Sequence, residues 1–312
     1  MKAAQITSYG GSEVVEIKDN VALPLLSVGR VIIEARVAGV NPVDWKIREG
    51  DLQKMAPLQF PATLGGDFSG VIIKVGENVS GFNEGDEVYG TALALGSGSG
   101  SFAEFIAADV KFIAKKPEKT SHVEAAALPL AGVSALQALT EHIGLKKGQK
   151  ILIHGGAGGI GSLAIQIAKH LGAYVATTVS ERDKEFVKKL GANEVIDYKN
   201  QYFSKMLKDY DAVFDTVGGE TYRNSFSVLK KGGVVVSMIE EPRAELMEKY
   251  EVKAVSQSTS VNNEMLSKLA KLVDEGSVKV HIDKIFTLEQ AREALTYLQN
   301  GRPRGKVVIE IK

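Results

Sequence analysis

The most distinctive stretch of the chain is the glycine-rich segment "HGGAGGIG", residues 154–161, which places five glycines in eight positions. It follows an apolar run typical of a strand, precedes an apolar pattern typical of a helix, and contains the spacing G-x-G-x-x-G. In such a turn the first glycine bends the chain, the second lets the backbone approach a pyrophosphate, and the third lets helix and strand pack closely. The helix start also offers N–H groups and partial positive charge to phosphates, so the segment predicts a dinucleotide site rather than a turn for another ligand. The residues predicted to hold the dinucleotide are Gly156, Gly158, Gly159, Ile160 and Gly161.

The residues after the next strand indicate which dinucleotide binds. An NAD-preferring site places a carboxylate at the end of that strand, where this chain has Ser180, followed by Arg182 and Lys184. Two cations and a hydroxyl suit the 2′-phosphate of NADPH, since a guanidinium binds phosphate through two parallel hydrogen bonds. Two alternatives stay open: Glu181 binds the ribose hydroxyls instead, or Ser180 and Asp183 form a near capping box in a solvated first turn. The pattern favours NADPH over NADH.

The overall composition is that of an ordinary globular protein with no net charge. Its 312 residues are 44% hydrophobic, and 38 basic side chains balance 38 acidic ones. Without a basic excess there is no general electrostatic case for nucleic acid or membrane partners. The chain has no cysteine, which excludes disulfides and thiolate zinc sites. The first residues lack the apolar core of a secretory signal, so we expect a soluble, cytoplasmic protein. The partner that we expect is a small-molecule substrate.

Two patterns of secondary structure divide the chain. Up to about residue 120, short Val- and Ile-rich runs bounded by glycine predict strands, as in "RVIIEARVAGV" (30–40) and "GDFSGVIIKVG" (66–76). Residues 94–101, "ALGSGSGS", have the composition of a flexible loop. From about residue 148, strands alternate with helices of about ten residues, which predicts a parallel, doubly wound α/β sheet of the Rossmann type. The expected domains are a mostly-β domain over 1–122, completed by 280–312, and a dinucleotide-binding domain over 123–279.

Several motifs, in order along nearly the whole chain, resemble those of one protein family. They are "GVNPVDWKIREG" (39–50), "PATLGGDFSGVIIKVG" (61–76), "LPLAGVSALQAL" (128–139), "LGANEVIDY" (190–198), "DAVFDTVGG" (211–219) and "GRPRGKVVIEI" (301–311). The chain is similar to the zinc-independent medium-chain dehydrogenase/reductases, in the branch of zeta-crystallin-like quinone oxidoreductases and alkenal or enone reductases. The resemblance implies a GroES-like N-terminal domain together with a Rossmann domain.

The same resemblance bears on metal binding, because zinc alcohol dehydrogenases share this fold. Their catalytic zinc takes a cysteine and a His-Glu pair at places where this chain has Asn41 and the pair Gly66 and Asp67. A catalytic zinc needs three protein ligands, and the five histidines of this chain are scattered along the sequence. We therefore expect no metal, and we expect the Asp67 carboxylate to hold its loop by hydrogen bonds. An alcohol dehydrogenase activity is accordingly disfavoured.

On the substrate side, the resemblance points to Asn41 as a catalytic amide near the nicotinamide and the substrate. The alternative is a turn residue before Pro42, since Asn-Pro commonly starts a turn. Lys46 follows on the same segment and is either a donor to the developing oxyanion or a solvated surface charge. Tyr9 and Tyr89 are candidate proton donors, but nothing in the sequence near them selects either.

On the cofactor side, four further residues match positions of the family. The resemblance puts Ser134 near the nicotinamide. It puts Tyr198 against the adenosine phosphate, with a capping aromatic on the sheet edge as the alternative. Arg304 and Lys306 correspond to residues near the cofactor cleft, or else are strand-end charges.

Without a metal, the cofactor carries the reaction and the protein orients it. The sequence therefore predicts an NADPH-dependent oxidoreductase that transfers hydride to quinones or α,β-unsaturated carbonyls. A cofactor-binding sensor or structural protein with little turnover is the alternative, since a fold alone does not prove activity. The resemblance also implies a homodimer that pairs edge strands near residues 250–260.

Overall fold

The computed structural model describes residues 1–95 and 98–312, which form two compact units. Unit 1 contains Met1–Ala131, Val261–Glu275 and Val280–Lys312, and unit 2 contains Gly132–Ser260 and Gly276–Lys279. Relative to the expected domains, residues 123–131 and 261–275 are grouped with unit 1. Part of the loop predicted at 94–101 lies outside the described residues.

The N-terminal stretch of the chain is mostly β-structure. Its elements are β1 (Ala3–Ile6), β2 (Glu16–Lys18), β3 (Arg30–Val40), α1 (Pro42–Glu49), β4 (Ala62–Thr63), β5 (Asp67–Val75), β6 (Glu87–Thr91), β7 (Phe105–Asp109), β8 (Ile113–Lys115), α2 (His122–Ala126) and α3 (Pro129–Gln137). Three strands form a small antiparallel sheet in the order β2-β1-β4. This stretch therefore has the mostly-β character that the Val- and Ile-rich runs predict.

The middle of the chain alternates strands and helices. Its elements are β9 (Lys150–His154), α4 (Gly159–His170), β10 (Tyr174–Val179), α5 (Lys184–Lys189), β11 (Glu194–Asp197), α6 (Phe203–Met206), β12 (Tyr210–Asp215), α7 (Gly219–Ser225), β13 (Leu229–Ser237), α8 (Ala244–Tyr250) and β14 (Lys253–Ser256). The six strands are parallel, in the order β11-β10-β9-β12-β13-β14. This is the strand order of a Rossmann fold, whose ligands bind at the carboxyl ends of the strands where the order reverses, here between β9 and β12. The predicted doubly wound sheet is confirmed.

The C-terminal stretch returns to unit 1 and completes its larger sheet. Its elements are α9 (Asn263–Asp274), β15 (Ile282–Thr287), α10 (Ala291–Asn300) and β16 (Lys306–Glu310). The seven-stranded sheet has the order β15-β16-β3-β5-β6-β8, and β7 pairs with β3 as well. In the part of this sheet that the structure describes, only β15 and β16 run parallel to each other. The GroES-like mostly-β unit is thus also confirmed.

Helix α1 is bounded by local sequence signals. Pro42 occupies its first position, where a missing N–H is harmless, and Gly50 ends it with a φ of 88° in the left-handed region. The Asp44 carboxylate accepts a hydrogen bond from the backbone N–H of Asn41 at 2.7 Å. Because that bond closes the first turn, the chain leaves β3 and enters α1 at Asn41 in a defined conformation.

Buried apolar side chains fill both units. In unit 2 the sheet contributes Leu152 and Val213, which pack with Phe226. In unit 1 the larger sheet contributes Ile33 and Phe68 to a second core. Within the described residues, no helix combines the length and apolar character that crossing a bilayer requires.

Candidate functional site

The turn after β9 has the backbone geometry that the glycine spacing predicts. Gly155 has a φ of +69°, in the left-handed region that L side chains rarely adopt. A Cβ atom on Gly156 would lie 2.0 Å from Oγ1 of Thr177. One on Gly161 would lie 2.2 Å from the carbonyl oxygen of Gly155, whereas one on Gly158 would meet only that same oxygen, at 3.4 Å. The first and third glycines of the spacing are therefore required by packing within the protein, and the second is not.

Helix α4 begins at this turn without a side-chain cap. Gly158 is its N-cap residue, and the helical ladder starts with the bond from the Ser162 N–H to the Gly158 carbonyl at 3.0 Å. The N–H groups of Gly159, Ile160 and Gly161 precede that first helical bond, so helix geometry gives them no intrahelical acceptor. This helix start is therefore suited to bind an anion, as the sequence predicts.

The sheet register places Ser180 beside Tyr198. Each follows one member of the parallel pair formed by Val179 of β10 and Asp197 of β11. The backbone N–H of Tyr198 donates to the Val179 carbonyl at 3.1 Å, and the Tyr198 side chain is 46% exposed. Both candidate residues thus lie at the carboxyl edge of the sheet, the edge at which β9 enters the glycine turn.

Each cation predicted to bind the 2′-phosphate has an acidic neighbour. Nε of Arg182 lies 3.2 Å from the Asp183 carboxylate, and Nζ of Lys184 lies 2.6 Å from the Glu181 carboxylate. The Ser180 hydroxyl also donates to Asp183, at 2.7 Å. These two side chains therefore bond to each other directly, and the Ser180 hydroxyl makes no side-chain cap of the turn that follows. The arginine side chain remains 62% exposed and the lysine side chain 26%.

Ser134 is buried in α3 and has partners from a distant part of unit 2. Its hydroxyl lies 2.7 Å from the hydroxyl of Thr259, and its carbonyl accepts a hydrogen bond from Nε2 of Gln257 at 2.9 Å. These partners are 125 and 123 residues away in the chain. The sequence analysis missed both, because no local pattern links them to Ser134.

Asp215, which the sequence analysis did not select, shapes the loop after β12. Its Oδ1 accepts hydrogen bonds from the N–H groups of Val217 and Gly218, both at 3.1 Å, and its Oδ2 accepts one from the Ser237 hydroxyl at 2.8 Å. The hydroxyl of Thr216, the residue after Asp215, donates to the His154 carbonyl at 2.9 Å. The loop after β12 is thereby tied to the end of β9, next to the glycine turn. An Asp at the end of a buried strand was the available signal.

In unit 1, the sheet register brings together side chains from distant parts of the sequence. β16 runs antiparallel to β3 on one side, with Val307 opposite Val40, and β5 runs antiparallel to β3 on the other. Both neighbours therefore begin where β3 ends. As a result, Lys306 at the start of β16 and Asp67 at the start of β5 flank Asn41.

These three side chains form a hydrogen-bonded chain. The Lys306 ammonium donates to the Val40 carbonyl at 2.9 Å and to Oδ1 of Asn41. Nδ2 of Asn41 donates to Oδ2 of Asp67 at 2.8 Å, and the Leu130 N–H donates to the same oxygen at 2.9 Å. The expectation that Asp67 holds its loop by hydrogen bonds is confirmed. Lys306 is only 5% exposed, so this charge at the start of β16 is buried within the unit.

Burial governs the charges of this cluster. It raises the pKa of Asp67 to about 6, against the opposing effect of the Lys306 ammonium. It raises the pKa of Asp44 to about 8, with a further rise from the nearby Asp67. Burial also lowers the pKa of Lys306, although the two carboxylates oppose that shift. One Asp44 oxygen, Oδ1, is buried without a hydrogen-bond partner among the described residues.

The other unit 1 candidates lie in varied surroundings. Lys46 is half-buried, and its Nζ lies 5.7 Å from the ring centroid of Trp45, where a cation–π contact forms. The backbone N–H of Arg304 donates to Asp283 at 3.2 Å, in the turn before β16. The Tyr89 hydroxyl is buried and donates to a carbonyl of α9 at 2.6 Å. Tyr89 therefore has a structural acceptor for its proton.

Two segments of the chain match known protein families. Residues 27–118 match the alcohol dehydrogenase GroES-like domain, and residues 190–309 match the family described as zinc-binding dehydrogenase. The first match falls within the N-terminal part of unit 1. The second covers most of the parallel sheet and the returning strands.

The similarity to known proteins extends over nearly the whole chain. A 2-methylene-furan-3-one reductase of Solanum lycopersicum is 40% identical, over 99% of this chain and 79% of its own length. An NADPH-dependent alkenal/one oxidoreductase of Arabidopsis thaliana is 34% identical, over the same shares. The structure of the quinone oxidoreductase from Coxiella burnetii has a TM-score of 0.90 and 36% identity, and the match covers 100% of this chain and 99% of that one.

Proposed function

The chain belongs to the medium-chain dehydrogenase/reductase family, in the branch of quinone oxidoreductases and alkenal/one reductases, and on this premise we propose that it reduces quinones or α,β-unsaturated carbonyls with NADPH. NADPH, when bound, supplies the hydride. The observation that carries the proposal is the turn after β9. There two glycines are required by contacts inside the protein, while Gly158 is not and sits at the start of α4. A glycine that the fold itself does not need supports close approach by a ligand.

The glycine turn fits the pyrophosphate of the cofactor. The N–H groups of Gly159, Ile160 and Gly161 open a helix of 12 residues, whose N-terminus attracts negative charge. Gly156 lets the turn lie close to Thr177 of β10, which keeps the helix start at the sheet edge. We assign the phosphate-binding role to these backbone groups.

The preference for NADPH rests on Arg182 and Lys184. Their ion pairs are partly exposed, and such pairs contribute little to stability, so exchanging a carboxylate partner for a phosphate costs little. A phosphate with two negative charges gains from both cations. Glu181, the residue that would favour NADH, is paired with Lys184. Ser180 and Tyr198, side by side at the sheet edge, complete the group.

Hydride transfer to a quinone or to the β-carbon of an enone leaves negative charge on an oxygen, which needs a hydrogen-bond donor. We assign that donation to Asn41 and keep Lys46 as a second donor on the same segment. Ser134 is assigned to the nicotinamide side, and Arg304 and Lys306 stay predictions for the cofactor side.

The unit 1 cluster supports a reaction without zinc. Asp67 accepts two hydrogen bonds, and its Asn41 partner is in turn bonded to the Lys306 ammonium, a positive group that would repel a metal ion. Among residues 1–95 and 98–312, no three His, Asp or Glu side chains are arranged to hold a metal. The donor set therefore does not fit the three-ligand site of a zinc dehydrogenase.

The proposal includes a homodimer in the cytoplasm. The edge strand β14 pairs with β13 on one side only within the described sheet, which leaves a sheet edge of the kind that a second copy extends. Size-exclusion chromatography with light scattering would test the dimer, and a monomeric mass would contradict it.

The deciding experiment follows reduced-nicotinamide absorbance with NADPH alone, with a quinone and with a short 2-alkenal or enone, and repeats each assay with NADH. We expect acceptor-dependent oxidation of NADPH that exceeds that of NADH. Preference for the enone would direct mutagenesis to Asn41 and Lys46, and preference for the quinone would make Lys46 secondary. Tight NADPH binding without oxidation by either acceptor would contradict the proposal and favour a sensor.

A further inference from the structure

Asn41 has oppositely charged partners at the two ends of its carboxamide. Its Oδ1 accepts a hydrogen bond from the Lys306 ammonium, and its Nδ2 donates to the Asp67 carboxylate at 2.8 Å. The three residues are 3%, 5% and 1% exposed, respectively. Hydrogen bonds to charged groups are about twice as strong as neutral ones. The carboxamide therefore links a buried cation to a buried anion.

These partners permit only one orientation of the amide. If the Asn41 carboxamide were turned over, its NH2 group would face the Lys306 ammonium and its oxygen would face the Asp67 carboxylate. Both contacts would be repulsive, in an interior where electrostatic interactions are stronger than in water. The orientation is thus set by the two charges.

The Lys306 ammonium also alters the amide as a hydrogen-bond donor. An ammonium at Oδ1 draws electron density from the amide nitrogen, because linked hydrogen bonds polarise one another. The nitrogen carries two protons, and Asp67 accepts one of them. The second Nδ2 proton of Asn41 is thereby made a stronger donor.

We propose that Lys306 and Asp67 are positioning residues that hold the Asn41 carboxamide in one orientation, and that the Lys306 ammonium strengthens its second N–H as a donor to the substrate oxygen. This inference rests on the proposed function, in which Asn41 stabilises the charge that develops on that oxygen. Lys306 and Asp67 themselves need not touch substrate or cofactor. Their effect on the reaction is transmitted through Asn41.

The protonation of Asp67 gives this arrangement a pH dependence. Its carboxylate faces the Lys306 ammonium from β16, the Asp44 carboxyl from α1, and the N–H groups of Asn41 and Leu130. Burial raises the pKa of Asp67 to about 6. Below that pH the carboxylate loses its charge, and we expect the carboxamide to be held less firmly.

The side-chain amide resonances of Asn41 test the proposal without any substrate. In isotope-labelled protein, the pair of resonances that disappears in Asn41→Asp identifies the carboxamide. We expect this pair to titrate with a midpoint near pH 6 in the wild type and to lose the titration in Asp67→Asn. Lys306→Met should move the midpoint to higher pH, because the ammonium no longer favours the ionised carboxylate.

A double variant and a control variant separate an effect on the Asn41 carboxamide from a general loss of stability. Lys306→Met leaves the Asp67 carboxylate buried without its cation, a change that is often strongly destabilising. The double variant Lys306→Met with Asp67→Asn removes both charges and preserves side-chain volume. Lys312→Met is the matched control, since it removes an exposed lysine that follows the same strand and pairs with Glu34.

Steady-state kinetics at saturating NADPH provides the second measurement. We expect the single and double Lys306 variants to lower kcat by about tenfold or more, as loss of an oxyanion donor does. Asp67→Asn should remove the acid limb of the kcat profile. Unchanged Asn41 resonances or unchanged kcat in the double variant would overturn the positioning role. A wild-type protein that reduces no acceptor would instead refute the proposed function, while the resonances would still decide whether the two charges orient Asn41.

Discussion

A Cβ atom added to Gly161 would lie 2.2 Å from the carbonyl oxygen of Gly155, across the turn that joins β9 to α4. Neither group can retreat easily, because the nearest atoms belong to the backbone. Gly161→Ala should therefore reduce the free energy of unfolding by about 1–3 kcal/mol, as overpacking typically does. Urea unfolding monitored by circular dichroism would measure the loss. A variant as stable as the wild type would mean that the turn has more freedom than this contact indicates.

Gly158→Ala is the counterpart to that variant. An added Cβ would meet only the Gly155 oxygen, at 3.4 Å, an ordinary contact distance. We expect a loss of about 1 kcal/mol in unfolding free energy, since alanine is a poorer helix N-cap residue than glycine. NADPH affinity should nevertheless fall by at least about tenfold, because the methyl group keeps the pyrophosphate from the backbone. Fluorescence titration would measure the NADPH affinity. An unchanged affinity would contradict the assignment of Gly158 to the cofactor site.

The double variant Arg182→Ala with Lys184→Ala tests the 2′-phosphate assignment. It should raise the NADPH dissociation constant by about tenfold or more, since each hydrogen bond to a charged group contributes about 1.5–3 kcal/mol. NADH lacks that phosphate, so its dissociation constant should hardly change. Lys188→Ala, which breaks the exposed pair of α5 with Glu185, is the control. Equal weakening for both cofactors would contradict the assignment.

The parallel sheet and its glycine turn were predictable from sequence because the signals are local. Strand–helix alternation and the spacing of Gly156, Gly158 and Gly161 each lie within one continuous stretch. The grouping of α9 with unit 1 has no such signal. It depends on which surface covers the apolar side of that helix, where Leu266 and Leu269 are buried, and sequence pattern cannot identify that surface.

The unit 1 cluster was predictable only in part. Asn41 and Asp67 were selected because they match family motifs, but their link to Lys306 depends on β16 pairing beside β3, across more than 260 residues. A lysine at the start of a strand usually extends into solvent, which is why the sequence suggested a strand-end charge. The partners of Ser134 were missed for the same reason, since contacts across a fold leave no periodic trace.

The Asp44 carboxyl should make stability depend on pH in an unusual direction. Burial raises its pKa to about 8, so the folded protein binds this proton more tightly than the unfolded chain does. The contribution of Asp44 to the free energy of unfolding therefore increases as pH falls from about 8 towards 6, by up to about 1 kcal/mol per pH unit. Asp44→Asn mimics the protonated group, and its stability relative to wild type should decline over the same interval. Asp51→Asn, an exposed carboxyl nearby, is the control, and parallel stability curves for wild type and Asp44→Asn would contradict the shift.

His154, at the end of β9, should make stability depend on pH in the opposite direction to Asp44, at lower pH. Its Nδ1 lies 3.0 Å from the Thr178 hydroxyl, its Nε2 lies 3.0 Å from the Ser225 hydroxyl, and its ring packs edge-on against Phe203. This fully buried setting lowers the pKa of His154 to about 3. The unfolded chain takes up a proton near pH 6.5 while the folded protein does not, so stability falls as pH drops from there, by about 1 kcal/mol per pH unit.

His154→Gln keeps polar atoms at this position and removes the titration. Between about pH 7 and about pH 5, the unfolding free energy of the wild type should fall by on the order of 1–2 kcal/mol relative to the variant, a comparison in which other titrating groups cancel. His170→Gln, an exposed histidine bonded to Ser277, should follow the wild type. A constant difference between wild type and His154→Gln across this range would show that the buried ring takes up its proton as readily as the unfolded chain.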